Sequence, residues 1–222
     1  MRTEPPGGHE AAAARRAEAE AVRKAAELAK PIHILGAGLS GLAAATILAR
    51  AGRDVHVHEI REDSGARFDG DFQGIENWTS GVDFFDEMRE WGFDPAEFKS
   101  DGFGVIDLVH PDDAITNPRT DGVAFRIVQR GTEGHTIDQG LKRMAVEAGV
   151  KIHYSTRREP GDCHIVAAGP KETSAVAYGE IFHTDHPNHV TFQLNDKLAP
   201  GAYSYLIVID GIGLICTCLW RQ

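Results

Sequence analysis

The 222-residue chain has few cysteines, no long apolar run and no excess of basic charge. Its apolar segments are interrupted well short of the roughly 20 residues a membrane-spanning helix needs, which excludes stable membrane insertion by that route. Three cysteines cannot close a disulfide framework: Cys163 stands alone, and Cys216 and Cys218 lie two apart. That spacing supplies no Cys-x-x-Cys pair for zinc, and it suits reduced thiols in a cytoplasmic protein. With 23 basic against 33 acidic residues the formal charge is −10, which argues against nucleic acid as a main partner. The chain is 42% hydrophobic and 25% charged, ordinary for a globular protein and incompatible with disorder throughout or a collagenous repeat. At about 150 residues per domain, this length allows one or two domains.

Residues 1–30 stand apart, with ten alanines among six basic and five acidic side chains. Alanine content predicts a helix over 10–29. The segment has no apolar core for a secretory signal and too much acid for a transit peptide, so it reads as a solvated helical extension. His183, His186 and His189 form a triplet of evenly spaced imidazoles. Pro187 disfavours a helix there, and on a strand the three would not face one way, so no metal site is expected.

The informative segment begins at Ile32. A four-residue apolar run, Ile32-His33-Ile34-Leu35, leads into Gly36-Ala37-Gly38-Leu39-Ser40-Gly41. A small-residue helix follows through Ala51, Gly52 sits at its stop, and 54–58 alternates like a second strand that Glu59 closes. Each part has a physical task. Gly36 permits the tight turn, Gly38 clears space for a pyrophosphate, and Gly41 lets helix and strand pack closely. Leu39 and Ser40 present free N–H groups at the positive end of the helix dipole. Glu59, 23 residues after Gly36, is placed to accept the ribose hydroxyls of an adenosine and to repel a 2′-phosphate. The succession of strand, loop, helix, strand and acid predicts dinucleotide binding.

The loop alone does not choose between FAD and NAD. A short-chain dehydrogenase would need a Tyr-x-x-x-Lys pair, whereas Tyr154 is followed by Arg158. After Glu59 come Arg61-Glu62-Asp63-Ser64-Gly65-Ala66-Arg67-Phe68 and then Gly70-Asp71-Phe72-Gln73-Gly74. With this basic, glycine-containing segment, the sequence resembles the flavoprotein oxidoreductases of the geranylgeranyl reductase and para-hydroxybenzoate hydroxylase type. The resemblance implies FAD, with Glu59 on the adenosine ribose and Arg67 near the pyrophosphate or the flavin.

Later segments extend the resemblance over roughly 31–220. A strand ends at Gln129-Arg130-Gly131, and Thr136-Ile137-Asp138-Gln139 reads as a capping box opening a helix with Leu141, Met144, Ala145 and Ala148 on one face. The family places an arginine just before this helix and close to the cofactor, which makes Arg130 the matching residue. Residues 161–170 read as a central parallel strand, and the family's Asp-Gly exit beside the cofactor is replaced by Ala168-Gly169. Asp162 is expected to cap a turn. Residues 82–91 read as a helix ending at Gly92, and 104–110 and 122–129 read as strands. At the tail, Asp210-Gly211 between two apolar runs signals a hairpin. Tyr203, Tyr205, Ile207 and Ile209 then share one face. In the family such a sheet covers the flavin ring and lines the substrate cavity, so Tyr203 and Tyr205 are substrate-cavity candidates.

The expected architecture is α/β: a Rossmann-like FAD-binding parallel sheet with a second β-sheet layer. Residues 31–180 form the dinucleotide domain, with an insertion at about 80–128, and 181–222 form part of a substrate domain. The implied activity is FAD-dependent oxidoreduction, by reductase or monooxygenase chemistry, of an isoprenoid or aromatic small molecule with NAD(P)H as electron donor. No catalytic side chain is identifiable. Family members continue past the hairpin to a Gly-Asp motif and closing helices, so the expectation is an incomplete relative or one completed by a second chain. The alternatives are a non-catalytic or truncated dinucleotide-binding module and an NAD-binding dehydrogenase.

Overall fold

The computed structural model describes residues 16–23, 25–26, 29–169 and 175–220. Residues 16–23 and 25–26 are helical and exposed; Ala29 is in a turn, and the rest of the expected 10–29 helix lies outside the described residues.

Three sheets organise the chain. The first is parallel, with β1 (Ile32–Leu35), β2 (Val55–His58), β8 (Lys151–His153) and β9 (Ile165–Val166) in the order β8-β2-β1-β9. The second is a three-stranded antiparallel sheet in the order β3-β7-β4, from β3 (Phe72–Glu76), β4 (Ser100–Phe103) and β7 (Phe125–Gln129). The third has six strands in the order β10-β13-β12-β11-β5-β6. It comprises β5 (Asp107–Val109), β6 (Ile115–Thr116), β10 (Ala175–His183), β11 (His189–Gln193), β12 (Ser204–Ile209) and β13 (Ile212–Trp220). Its pairings are antiparallel except for β5 with β11. The fold is α/β, as expected.

Helices α1 (Leu39–Arg50) and α3 (Ile137–Glu147) pack on one face of the parallel sheet. That face carries Ile32, Ile34, Val55 and Val57, and it meets Leu42 and Ala45 of α1 and Leu141, Met144 and Ala145 of α3. Ala148, expected on the same face, is only half-buried. The glycines at 52 and 149 follow their helices at φ +80° and +89°, the left-handed stops that glycine adopts at least cost. Helix α2 (Phe84–Glu90) is capped by Asp83, which accepts from Phe85 N and also pairs with Arg126 of β7. The tail hairpin turns through Asp210 (φ 50°) and Gly211 (φ 81°), matching the Asp-Gly signal. Lys99 pairs with Asp210 and ties this turn to the segment before β4.

Three sequence expectations need correction. The segment at 161–170 is not a central strand: β9 has two residues and lies at the edge of the sheet, paired with β1 alone among the described strands. The apolar run there is brief because the chain leaves at Ala167, whose backbone lies against Gly36. The capping box is only half made. The Thr136 hydroxyl accepts from Gln139 N, but the Gln139 amide donates to Ser64 O, while Thr136 N donates to Glu133 O. Tertiary packing outcompetes the local reciprocal bond. Asp162 lies in the 3₁₀ turn Pro160–Asp162, which has no side-chain cap. Strand β10 spans both sides of position 180, and the six-stranded sheet recruits β5 and β6 from the 80–128 segment.

The sheet–helix core rests on a few completely buried side chains. Leu42 is 0% exposed between α1 and the parallel sheet. We expect Leu42→Ala to cost about 2–5 kcal/mol, the range for deleting a buried leucine side chain. Urea unfolding followed by circular dichroism checks it; a loss below ~1 kcal/mol would contradict the packing described.

Candidate cofactor site

The site starts where β1 turns into α1. Gly36 has φ +100°, and a Cβ there would stand 2.4 Å from Ala167 O. A Cβ on Gly41 would stand 1.9 Å from Gly36 O, so any side chain would push α1 off the loop. At Gly38 the reverse holds: a Cβ would meet nothing within 4 Å. Two glycines are therefore required by packing, and the third faces open space. Gly38 is the N-cap and offers no side-chain cap. The N–H groups of Leu39 and Ser40 have no hydrogen-bond acceptor among the described residues. Unpaired donors at the positive end of a helix form an anion site.

Glu59 stands beside this loop. Its Oε2 accepts from Ala37 N at 2.8 Å and its Oε1 from Arg61 N at 3.0 Å. Each oxygen keeps a lone pair for a further donor, so the carboxylate shapes the loop and can still receive ribose hydroxyls. The loop's start is fixed by Gly36 N, which donates to His58 O at 2.8 Å.

A cleft of about 550 Å³ runs from here along the protein. Gly36, Gly38, Leu39, Ser40, Glu59, Arg67, Arg130 and Gly169 all line it. Gly41 does not, because it is spent in packing. Arg67 and Phe68 also border an adjoining cavity of about 390 Å³, which reaches Gln73, Tyr205 and Cys216. Gln73 and Tyr205 in turn border a third cavity of about 620 Å³ between the two antiparallel sheets. Tyr203, Phe125, Phe192 and Trp78 line that third cavity, and Glu76 is its carboxylate. Tyr205 thus lines both the second and the third cavity and Tyr203 the third, and neither lines the cleft at the loop. Burial holds the hydroxyls of both above the usual tyrosine range and pushes the Cys218 thiol up to about 11.

Sequence reasoning missed Asp138. It is completely buried and accepts from Arg130 Nε at 2.8 Å, Arg130 Nη2 at 2.9 Å and Gly131 N at 3.1 Å. This fork holds the guanidinium 4.0 Å from the centre of the Phe68 ring and against the cleft. Gly65 completes the contact: at φ +82°, a Cβ there would stand 2.2 Å from Gly131 O. The signal was a buried-face acid in the first turn of α3, read only as part of a cap. The histidine triplet does not converge. His186 and His189 face each other with ring centres 4.3 Å apart, and each lies near Pro187 O. No group of three or more ligating side chains is placed to hold a metal among the described residues.

Comparison with known proteins agrees with this geometry. Residues 34–79 match the family profile described as NAD(P)-binding Rossmann-like domain. A geranylgeranyl bacteriochlorophyll reductase-like protein from Thermoplasma acidophilum superposes with a TM-score of 0.58 at 15% identity, over 86% of this chain and 56% of that one. The P. aeruginosa protein PqsL, solved in complex with 2-aminobenzoylacetate, gives 0.59 at 11% identity, over 86% and 62%. The chain shares its fold with these two proteins. In sequence, 40 residues are 58% identical to a hydroxysqualene dehydroxylase of Rhodopseudomonas palustris, covering 18% of this chain and 10% of that protein. The chain therefore spans little more than half the length of the solved proteins it matches, and a tenth of this curated relative. No helix among the described residues is long and apolar enough to cross a membrane.

Removing Asp138 tests the fork. Asp138→Ala leaves Arg130 and the Gly131 N–H without their acceptor in a buried setting, and we expect a loss of about 3–5 kcal/mol. Chemical denaturation measures it. A cost under ~1 kcal/mol would mean that solvent replaces the carboxylate freely.

Proposed function

We propose that the chain binds FAD in the 550 Å³ cleft and serves an oxidoreductase reaction on a small apolar molecule, isoprenoid or aromatic, with NAD(P)H as electron donor. The observation that carries this reading is the open space at Gly38, facing unpaired helix-start N–H groups with Glu59 alongside. A diphosphate fits the first feature and a ribose the second.

Bound there, the flavin would supply the two-electron chemistry, and the residues present fit its recognition. Leu39 N and Ser40 N would hold the pyrophosphate, Glu59 the adenosine ribose, and Arg67 and Arg130 the anionic or ring end. Asp138 fixes Arg130 and so positions it. Gly169, at φ +77°, lets the chain leave β9 without a side chain across the cleft. The 620 Å³ cavity is the proposed substrate chamber: its aromatic walls exclude water and orient a flat or branched apolar molecule, and Tyr203 and Tyr205 supply its hydroxyls. The proposed division is a dinucleotide domain over 31–180 with an insertion at about 80–128, and a substrate sheet over 181–222. Completion by a second chain, and a cytoplasmic setting, belong to the same proposal.

Two substitutions test it. Gly38→Ala adds a methyl group into open space at φ −80°, so the fold should be unchanged while the pyrophosphate is obstructed. Glu59→Ala removes a charged acceptor and should weaken FAD by about ten- to a hundredfold, or ~1.5–3 kcal/mol. Titration followed by flavin fluorescence, with NAD⁺ and ADP as competitors, reads both. Absence of FAD uptake by the unaltered protein sinks the proposal, and preferential uptake of NAD⁺ would turn it into a nicotinamide site.

A further inference from the structure

The face of the parallel sheet turned away from α1 and α3 is lined with imidazoles. Strand alternation puts His33 of β1, His56 and His58 of β2, and His153 of β8 on this one side. Neighbouring rings in this set have centres 5.0–5.4 Å apart. Buried parallel sheets are ordinarily apolar on both faces, so a polar layer here is a departure that packing alone does not require.

We propose that this histidine layer is an acid-sensitive latch behind the dinucleotide loop: neutral, it locks β1, β2 and β8 together; protonated, it opens them and releases the loop.

The hydrogen-bond geometry excludes protons. Arg158, from the loop after β8, places Nη1 3.0 Å from His33 Nδ1 and 2.8 Å from His58 Nε2. A guanidinium only donates, so neither of those ring nitrogens carries a proton while both contacts are made. His33 Nδ1 and His58 Nε2 are themselves 3.0 Å apart, too close for two N–H groups to face each other. His56 Nδ1 and His153 Nε2, at 2.9 Å, share a single proton for the same reason. His58 is 6% exposed, and its Nδ1 is buried with no hydrogen-bond partner. A charged His58 would therefore place a second N–H against Arg158 and His33.

The charge of Arg158 opposes protonation of His33 and His58. Arg158 and Lys151 are the fixed cations, with Lys151 Nζ 3.5 Å from His56 Nε2. Asp54 is the carboxylate at the rim, 3.4 Å from His56 Nε2 and 2.8 Å from Lys151 Nζ. His164 accepts from His33 N through its Nδ1, and the Cys163 thiol beside Arg158 is held neutral by burial. Burial first, then the charge of Arg158, pushes His58 down to about 4 and lowers His33.

The layer reaches the loop through the backbone. His58 O accepts from Gly36 N, Glu59 N donates to His153 O at 2.9 Å, and Glu59 holds Ala37. Separating β2 from either neighbour unfastens the turn and its acid together. The sign follows from linkage. A histidine depressed in the closed state and at about 6.5 in the open one favours closure above pH 6.5, and that preference is lost as pH falls from about 6.5 toward 4.

Hydrogen–deuterium exchange on the full chain, corrected for the intrinsic pH dependence of exchange, tests this without any cofactor, so its outcome is independent of flavin binding. Between pH 7.5 and 5.5 we expect opening of segment 32–59 to rise about tenfold, the linkage of one such histidine, while β12 and β13 stay protected. His58→Leu should abolish most of that rise. Arg158→Gln, on a loop, lifts the smaller part of the depression and should shrink the rise by up to about a third, even if it lowers protection at pH 7.5. Equal losses across β12 and β13, no pH dependence in 32–59, or an undiminished rise in Arg158→Gln would each overturn the latch.

Discussion

One close approach governs the site: α1 crosses the β1 exit with no room for a side chain. A Cβ at Gly41 would lie 1.9 Å from Gly36 O, and one at Gly36 would lie 2.4 Å from Ala167 O. Three backbones therefore touch at a point where any larger residue forces them apart. That contact aims the helix start along the cleft and leaves its N–H groups unpaired. It also brings Ala37 N within reach of Glu59, so the acid that can read a ribose is held by the loop it serves. Anion affinity here follows from helix packing, because the helix dipole and the bare donors cannot be aimed any other way.

How much of this was legible in the sequence depends on how local each feature is. The 32–59 unit was readable because every element is adjacent in the chain and each glycine has a separate reason to be there. The tail hairpin was readable from Asp210-Gly211 for the same reason. Asp138 was not, because its meaning depends on Arg130, eight residues back, and on burial that no local pattern reports. The edge position of β9 and the parallel pairing of β5 with β11 depend on where distant segments land. The alternation at 54–58 was read correctly as a strand, but the partners of its histidines were not legible in it. The clue passed over was that β1 and β8 repeat the same polar register, with His33 and His153.

The antiparallel layers extend the reach of the cleft proposed for the dinucleotide. Strand β3 is the partition: Gln73 borders both the second and the third cavity, while Phe72 packs into the core of the larger sheet. The Asp83–Arg126 pair fastens α2 to β7 of the same partition, and Arg126 lies 4.2 Å from the centre of the Phe85 ring. A ligand running from the loop past Arg67 would meet Gln73 of this wall and Tyr205 of β12. The cavity beyond is apolar on most sides, so whatever enters it is selected by shape and by few polar contacts.

The two faces of the parallel sheet answer to different demands. The helix-covered face buries Ile32, Ile34, Val55, Val57 and Leu42 and supplies the cohesion on which the loop geometry stands. The histidine face supplies little of that: Arg158 bridges His33 and His58 only while their facing nitrogens are unprotonated, and His56 and His153 share one hydrogen bond. Hydrophobic burial is indifferent to pH near neutrality, whereas this second set of contacts is not. A sheet built this way keeps a constant core while the strength of its backbone pairing beside Gly36 varies with proton concentration. The loop is coupled to that layer through the backbone of β2, by the bond from Gly36 N to His58 O.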